Sequence, residues 1–478
     1  MNSEQNDLAQ KDSLRLGNAG LLAAAILAIV LPSMLVLWAP APWFHDYAEW
    51  LFQSKVLALK WTDPESVAAY VLAAYPVPNT TGLVLLSGFS MLLPPMLAGK
   101  LFLLGLLLGW AAVLRSWVRR FGSGGPQIRM WLTLVLVFGF SPFFWYGYLN
   151  YQVALLLLLV FLLRWQRGVS ALEMAAWGGI LLLSHATVAA VWLCIVAAEC
   201  LHQLQSAARS RQRLIAALRA VAVAAPSGLL ALWFGLARWS APVGIDADTS
   251  GVIEALIYKA GFPLMLGTFR NLLWPDGSAL LEQMPVFYWT GAILNLLLLL
   301  LLALWGMRVL WAGRSWESSG HPPKQRIAWI AALLLVLAYL LVPYQFYGTV
   351  NPAGRWLIPL LALACLIGAQ QSWVWRLAAW PAVLGASISW GQYAYLAAAL
   401  PAGQVSHPVQ FKQEFAPSHS VFAFNEALYS NTRYSYFNYR LLIGSERFEQ
   451  LRQQHYQGLG FRTSVLVDYQ PEILAPRE

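Results

Sequence analysis

The residues whose types and spacing best suggest chemistry are His45, Asp46, Tyr47 and Glu49. They lie in Trp43-Phe44-His45-Asp46-Tyr47-Ala48-Glu49-Trp50, just beyond the first long apolar segment. A carboxylate flanked by an imidazole, a phenol and a second acid, with aromatic rings on either side, reads as a site for acid–base chemistry at a bilayer surface. The same stretch also reads as a polar loop anchoring the first helix through its tryptophans, since carboxylates in short loops usually face water. Both readings stand on these residues alone.

Two cations join the candidates. Lys100 and Arg355, the latter in Asn351-Pro352-Ala353-Gly354-Arg355, each open an apolar segment. Helix N-termini favour anions, so a cation there is explained if it shares the position with a phosphate. The other explanation is a side chain reaching to lipid headgroups. His185, in Leu183-Ser184-His185-Ala186, falls at a turn between two apolar runs, where a hydrogen-bonded structural histidine is an equal reading. Asn150 can position a substrate hydroxyl or cap a helix. Asn79, in Asn79-Thr80-Thr81, matches a glycosylation acceptor but also opens an apolar run.

The elements that must position these residues are membrane helices. The 478-residue chain is 59% hydrophobic and only 11% charged, with 24 tryptophans. Repeated apolar runs near bilayer-spanning length place it in the all-α polytopic membrane class. Its net charge of +9 is gathered in short connections: Arg115 to Arg129, Arg164 with Arg167, Arg209 to Arg219, and Arg308 to Arg326. That is the pattern of cytoplasmic loops, and it argues for topology rather than a nucleic-acid partner. The three cysteines lie in apolar segments and offer no disulfide framework.

These clusters predict a cytoplasmic N-terminus (1–18), a membrane domain over 19–400 with about eleven crossings, and an extracytoplasmic C-terminal tail (401–478), in the plasma membrane. The crossings fall near 19–38, 97–115, 130–146, 152–165, 171–184, 186–202, 214–236, 288–308, 327–343, 356–370 and 377–399. The stretch 81–93, thirteen residues long, extends only roughly 20 Å against a core of ~30 Å, and reads as a re-entrant or interfacial helix. It belongs to a long first outer loop, 39–96; a second outer loop covers 237–287. The tail reads as a small α/β appendage with a strand over Thr463–Val467. Glu173 and Glu199 are expected to snorkel at the cytoplasmic side.

No Walker-type loop, no Gly-x-Gly-x-x-Gly after a strand and no Cys/His metal cluster is present in the sequence. Polar residues gather at outer helix ends rather than at mid-bilayer, which favours an enzyme of the outer leaflet over a carrier.

The order of these features resembles the GT-C superfamily of polytopic glycosyltransferases, such as protein O-mannosyltransferases and the lipid A aminoarabinose transferase. His45-Asp46-Tyr47 stands for the acidic first-loop motif. Tyr75-Pro76-Val77-Pro78 followed by Leu83 to Leu93 stands for the proline-started helix, and Ala98-Gly99-Lys100-Leu101 for the crossing that opens on a basic residue. Gly354-Arg355-Trp356-Leu357-Ile358-Pro359 is similar to the late Arg-aromatic-Leu-x-Pro element. The resemblance implies transfer of a sugar from a polyprenyl-phosphate donor to a lipid, glycan or protein acceptor. It makes Asp46 the general base and Lys100 and Arg355 the phosphate partners, while His45 and Glu49 orient Asp46 or touch the acceptor. A lipid-borne donor needs no nucleotide cofactor.

The chain departs from the family where Asp46 stands without an adjacent acid, where Asn150 replaces an acidic second-loop residue, and where Lys100 replaces arginine. A role for a divalent cation is left open by these departures. Two other readings remain: a non-enzymatic lipid or glycan transporter or assembly subunit, and a glycan polymerase or ligase. The latter would centre on outer-loop cations, here only Arg238, Lys259 and Arg270 in 237–287.

Overall fold

The computed structural model describes residues 29–38, 47–65, 70–121, 127–145, 147–239, 256, 259–260, 266–269, 285–312, 323–342, 345–346, 349–350, 353–368, 372–399 and 467–469. The apolar runs form helices in the expected order. They are α1 (Ile29–Trp38), α2 (Tyr47–Thr62), α3 (Thr80–Leu92), α4 (Pro95–Phe121), α5 (Gln127–Gly139), α6 (Pro142–Trp145) and α7 (Leu149–Arg167). After these come α8 (Ala171–Ser184), α9 (Ala186–Ser206), α10 (Ser210–Trp239), α11 (Pro285–Ala312), α12 (Pro323–Leu341), α13 (Leu357–Gly368) and α14 (Ser372–Ala399). A 3-10 turn, Ala353–Trp356, leads into α13.

Between lipid and lipid-like side chains there is little hydrophobic drive, so packing and hydrogen bonds must hold such a bundle. Tryptophan supplies both. Trp110, Trp117, Trp165, Trp192, Trp305 and Trp375 are among the largest fully buried side chains. Indole N–H groups staple neighbouring helices: Trp117 donates to the Leu159 carbonyl at 3.0 Å, Trp131 to Ala111 at 2.9 Å and Trp329 to Leu310 at 3.1 Å. Many tryptophans are thus internal fasteners rather than interface anchors.

Consecutive helices run back and forth, so their ends sort into two faces. At the basic end, Glu199 of α9 accepts from Trp165 of α7 at 2.6 Å and from Lys324 of α12 at 2.7 Å. Lys324 also lies 4.2 Å from the centre of the Trp165 ring. Nearby, Ser170 caps α8 by accepting from the Glu173 amide, and Glu173 pairs with Arg164 at 3.2 Å. Glu173 and Glu199, expected to snorkel, thus each hold a cation at this end.

Among the described residues, seven helices are long and apolar enough to cross a membrane: Leu97–Phe121, Gln127–Trp145, Leu149–Arg167, Ala186–Ser206, Ser210–Ala237, Pro285–Trp311 and Pro323–Leu341. The other expected crossings fall on the shorter α1, α8 and Ala353–Gly368 and on α14, which spans 28 residues. At ~1.5 Å per residue, α7 rises about 28 Å from the basic end and α8 only about 21 Å. The turn joining α8 to α9 meets the start of α7, where the His185 and Tyr151 rings lie 5.3 Å apart. The hairpin is tight: a Cβ on Gly178 would lie 2.5 Å from the Trp192 ring.

Here α2 packs on α3, and α3 on α7 and α8. The 13-residue α3 packs on α2, α4, α7 and α8, as suits the re-entrant or interfacial helix expected over 81–93. It starts after Asn79, whose φ of 85° is left-handed, a conformation asparagine tolerates better than most residues. Ser54 of α2 and Ser90 of α3 share a buried hydrogen bond of 3.0 Å. Two small sheets complete the far side. Tyr70–Leu72 (β1) pairs antiparallel with Val467–Tyr469 (β4), and Gln345–Phe346 (β2) with Thr349–Val350 (β3). The tail strand begins at Val467, where the sequence places its end; 463–466 lie outside the described residues.

Candidate functional site

The far ends of α7, α9 and the 3-10 turn meet around Arg355. Trp356 Nε1 donates to the Thr187 carbonyl at 2.7 Å, tying the turn to the start of α9. The Tyr151 hydroxyl donates to the Arg355 carbonyl and ties it to α7. These two bonds fix the backbone, so the guanidinium has little freedom. It lies 4.7 Å from the centre of the Tyr148 ring, and its Nη1 is 3.3 Å from His185 Nε2. Its Nε is buried and has no hydrogen-bond partner among the described residues. Among the described residues Arg355 has no carboxylate partner.

His185 is 8% exposed and packs edge-on against Tyr151, with ring centres 5.3 Å apart. Burial first, and then the adjacent Arg355 charge, hold its pKa well below the ordinary imidazole value. The ring is thus neutral. Its Nδ1 caps α9 by accepting from the Thr187 amide at 3.3 Å, with Thr187 Oγ1 2.8 Å away, and its Nε2 faces Arg355 Nη1. A neutral imidazole in this position steadies Arg355 without cancelling its charge.

Asn150, two residues beyond Tyr148, is 1% exposed, and among the described residues neither Oδ1 nor Nδ2 has a partner. It faces Gly82 of α3, where an added Cβ would meet Oδ1 at 2.3 Å. Burying an unpaired amide costs roughly 1–3 kcal/mol. Trp50, in the first turn of α2, donates to the Gly147 carbonyl at 3.1 Å. The turn 147–148 therefore touches α2 on one side and Arg355 on the other.

Of the sequence candidates, Asn150, His185 and Arg355 gather here. Tyr148, Tyr151 and Thr187 join them, and the sequence offered only the aromatic turn 146–151 as a sign of the two tyrosines. Thr187 reads in sequence as an ordinary first-turn residue. Tyr47 and Glu49 begin α2, next to Trp50, but their side chains lie outside what the structure describes. His45 and Asp46 immediately precede α2 and also lie outside the described residues. Asn79 serves the turn into α3, where it makes no side-chain cap bond.

Lys100 takes a different part. Its Nζ donates to the Leu37 carbonyl at 2.9 Å, in the last turn of α1. The helix that suits this cation is its neighbour, whose C-terminus carries the negative end of the dipole. None of its described contacts reaches Arg355. Lys259, from the second outer loop, does the same for α12, donating to Leu340 at 2.6 Å. It is accordingly spent on structure. Among the described residues no group of three or more His, Cys, Asp or Glu side chains gathers in a way that could hold a metal ion.

No family model matches the sequence. No curated protein matches it either. Among solved structures, the chain is similar to the apo form of the Archaeoglobus fulgidus oligosaccharyltransferase, at 13% identity and a TM-score of 0.40, covering 88% of this chain. The match spans 63% of that protein's length, a distant likeness between a polytopic helical chain and a membrane glycosyltransferase.

Proposed function

We propose that this chain transfers a sugar from a polyprenyl-phosphate carrier to a lipid-, glycan- or protein-borne acceptor at the outer face of the membrane. The observation that carries the reading is Arg355: a guanidinium fixed by its own backbone, backed by Tyr148 and a neutral His185, with a buried and unsatisfied Nε. Such a fork asks for an oxyanion, and Arg is suited to phosphate oxygens.

In this reading the acceptor hydroxyl or amine attacks the anomeric carbon as the bond from that carbon to the phosphate oxygen breaks. The acceptor's proton passes to Asp46, and the electron pair leaves with the lipid phosphate. Arg355 stabilises the charge developing there. Asn150 hydrogen-bonds the sugar or the phosphate. Lys100 acts at one remove, by fixing α1, from which the chain runs into the first outer loop.

The test is transfer in proteoliposomes containing the purified chain, radiolabelled lipid-linked sugars and a membrane extract as acceptor. Sugar transfer with equal release of lipid phosphate is expected, and Arg355→Gln should lower it by about 10²-fold or more, the scale for losing one preorganised donor to a developing oxyanion. Movement of labelled lipid across the bilayer without bond cleavage would replace this reading with the transporter.

A further inference from the structure

A second site lies at the basic end, away from Arg355. The start of α8, the last turns of α9 and the first half of α10 line a shallow cleft that is open to the surroundings. Its floor is apolar, formed by Met174, Val196 and Val223, and its polar wall carries Glu199, Gln203 and Arg219. Glu199 is already neutralised by Lys324, and Glu173 is paired with Arg164. Arg219 has no ion pair among the described residues, so the cleft keeps a net positive charge. The capped N-terminus of α8, at Ser170, lies on the same wall and adds partial positive charge.

The surroundings decide the kind of ligand. Arg219 stands at the tenth position of α10, about 14 Å along a helix that is a membrane span. Leu172, Leu214, Leu218 and Val221, on the same helices, are exposed. A cation at that depth on a lipid-facing helix is costly unless an anion reaches it. We infer that this cleft binds the phosphate of an anionic glycerophospholipid from the leaflet on the basic side, with Arg219 holding the phosphate and the acyl chains lying along α8 and α10. The site is independent of the proposed transfer reaction.

The experiment reconstitutes the full chain in nanodiscs of phosphatidylcholine and phosphatidylglycerol with matched acyl chains. Lipid retained on extraction is then measured by native mass spectrometry. One phosphatidylglycerol per chain should be retained with about five-fold preference, the scale for a single basic residue at an anionic surface. Arg219→Gln should bring the preference to unity; Arg219→Lys should keep most of it, and so should Arg209→Gln, outside the cleft. Cys200, which also lines the cleft, gives a second readout in a Cys194→Ala/Cys365→Ala chain. Phosphatidylglycerol should slow its alkylation, and inorganic phosphate should not. Unchanged preference in Arg219→Gln, or equal protection by inorganic phosphate, overturns the lipid site.

Discussion

Gly82 of α3 and Asn150 of α7 approach so closely that a Cβ on the glycine would lie 2.3 Å from Asn150 Oδ1 and 3.3 Å from its Cα. The contact lowers α3 onto the start of α7 and seals the asparagine amide from water. An amide that is buried and unpaired among the described residues weakens the resting fold.

The contact predicts a coupled pair of variants. Gly82→Ala should destabilise by about 1–3 kcal/mol, because the new methyl overpacks the contact. Asn150→Ala alone should leave stability unchanged or raised, since it removes an unsatisfied group, yet it should impair transfer. In the double variant the Oδ1 clash disappears, so a cycle of thermal unfolding should give a coupling of roughly 0.5–3 kcal/mol. Additive effects would mean that α3 does not rest on Asn150.

Acid should weaken the fold through His185. Its folded pKa is lowered by burial and by Arg355, so the folded chain refuses a proton that the unfolded chain accepts. Stability is therefore intact above the unfolded imidazole value of about 6.5 and falls as pH drops below it, by up to about 1.4 kcal/mol per unit. His185→Gln keeps an acceptor for Arg355 and should flatten the profile between pH 5 and 7. A slope of the same size in that variant would assign the acid effect to other groups.

The helix order was legible because each apolar run is bounded by charges, prolines or turn residues, and those determine membrane helices almost unaided. The thirteen apolar residues before Pro94 marked α3 by length alone. Less was legible where the partner lies far along the chain. Lys100 reads as a phosphate ligand from its own helix, and only the packing of α1 against it supplies the Leu37 carbonyl. Glu199 reads as a snorkelling acid because Trp165 and Lys324 are 34 and 125 residues away. Tyr148, Tyr151 and Thr187 escaped individual notice for the same reason: their roles come from Arg355, across the bundle.

The pairing of β1 with β4 brings the end of the tail onto the first outer loop. Tyr70 faces Tyr469, and Val71 faces Asp468. In a chain with Cys194, Cys200 and Cys365 replaced by alanine, Tyr70→Cys and Tyr469→Cys should cross-link under mild oxidation, since facing Cβ atoms in such pairs lie about 4.5–5.5 Å apart. Tyr70→Cys with Asp468→Cys, off register by one, should cross-link much more slowly. Equal rates, or no cross-link with Tyr469→Cys, would detach the tail from this loop and reopen its side of the membrane.

The proposed reaction depends most on Asp46. It directly precedes α2, whose first turn is fastened through Trp50 to the Gly147 carbonyl, next to the Tyr148 ring beneath Arg355. Asp46→Asn keeps the shape and most hydrogen bonds but accepts no proton at neutral pH. Turnover should fall by roughly 10²–10⁴, the contribution of a positioned general base. Donor binding, set by Arg355, should change little, so kcat falls while KM holds. An acid that merely faces water would leave the rate intact and shift stability by no more than about 0.5 kcal/mol. The deciding measurement is complementation of the cell-surface glycan by Asp46→Asn at normal expression, alongside the proteoliposome rate. Full restoration in both would remove Asp46 from the chemistry while leaving the phosphate site at Arg355 to be judged by its own variant.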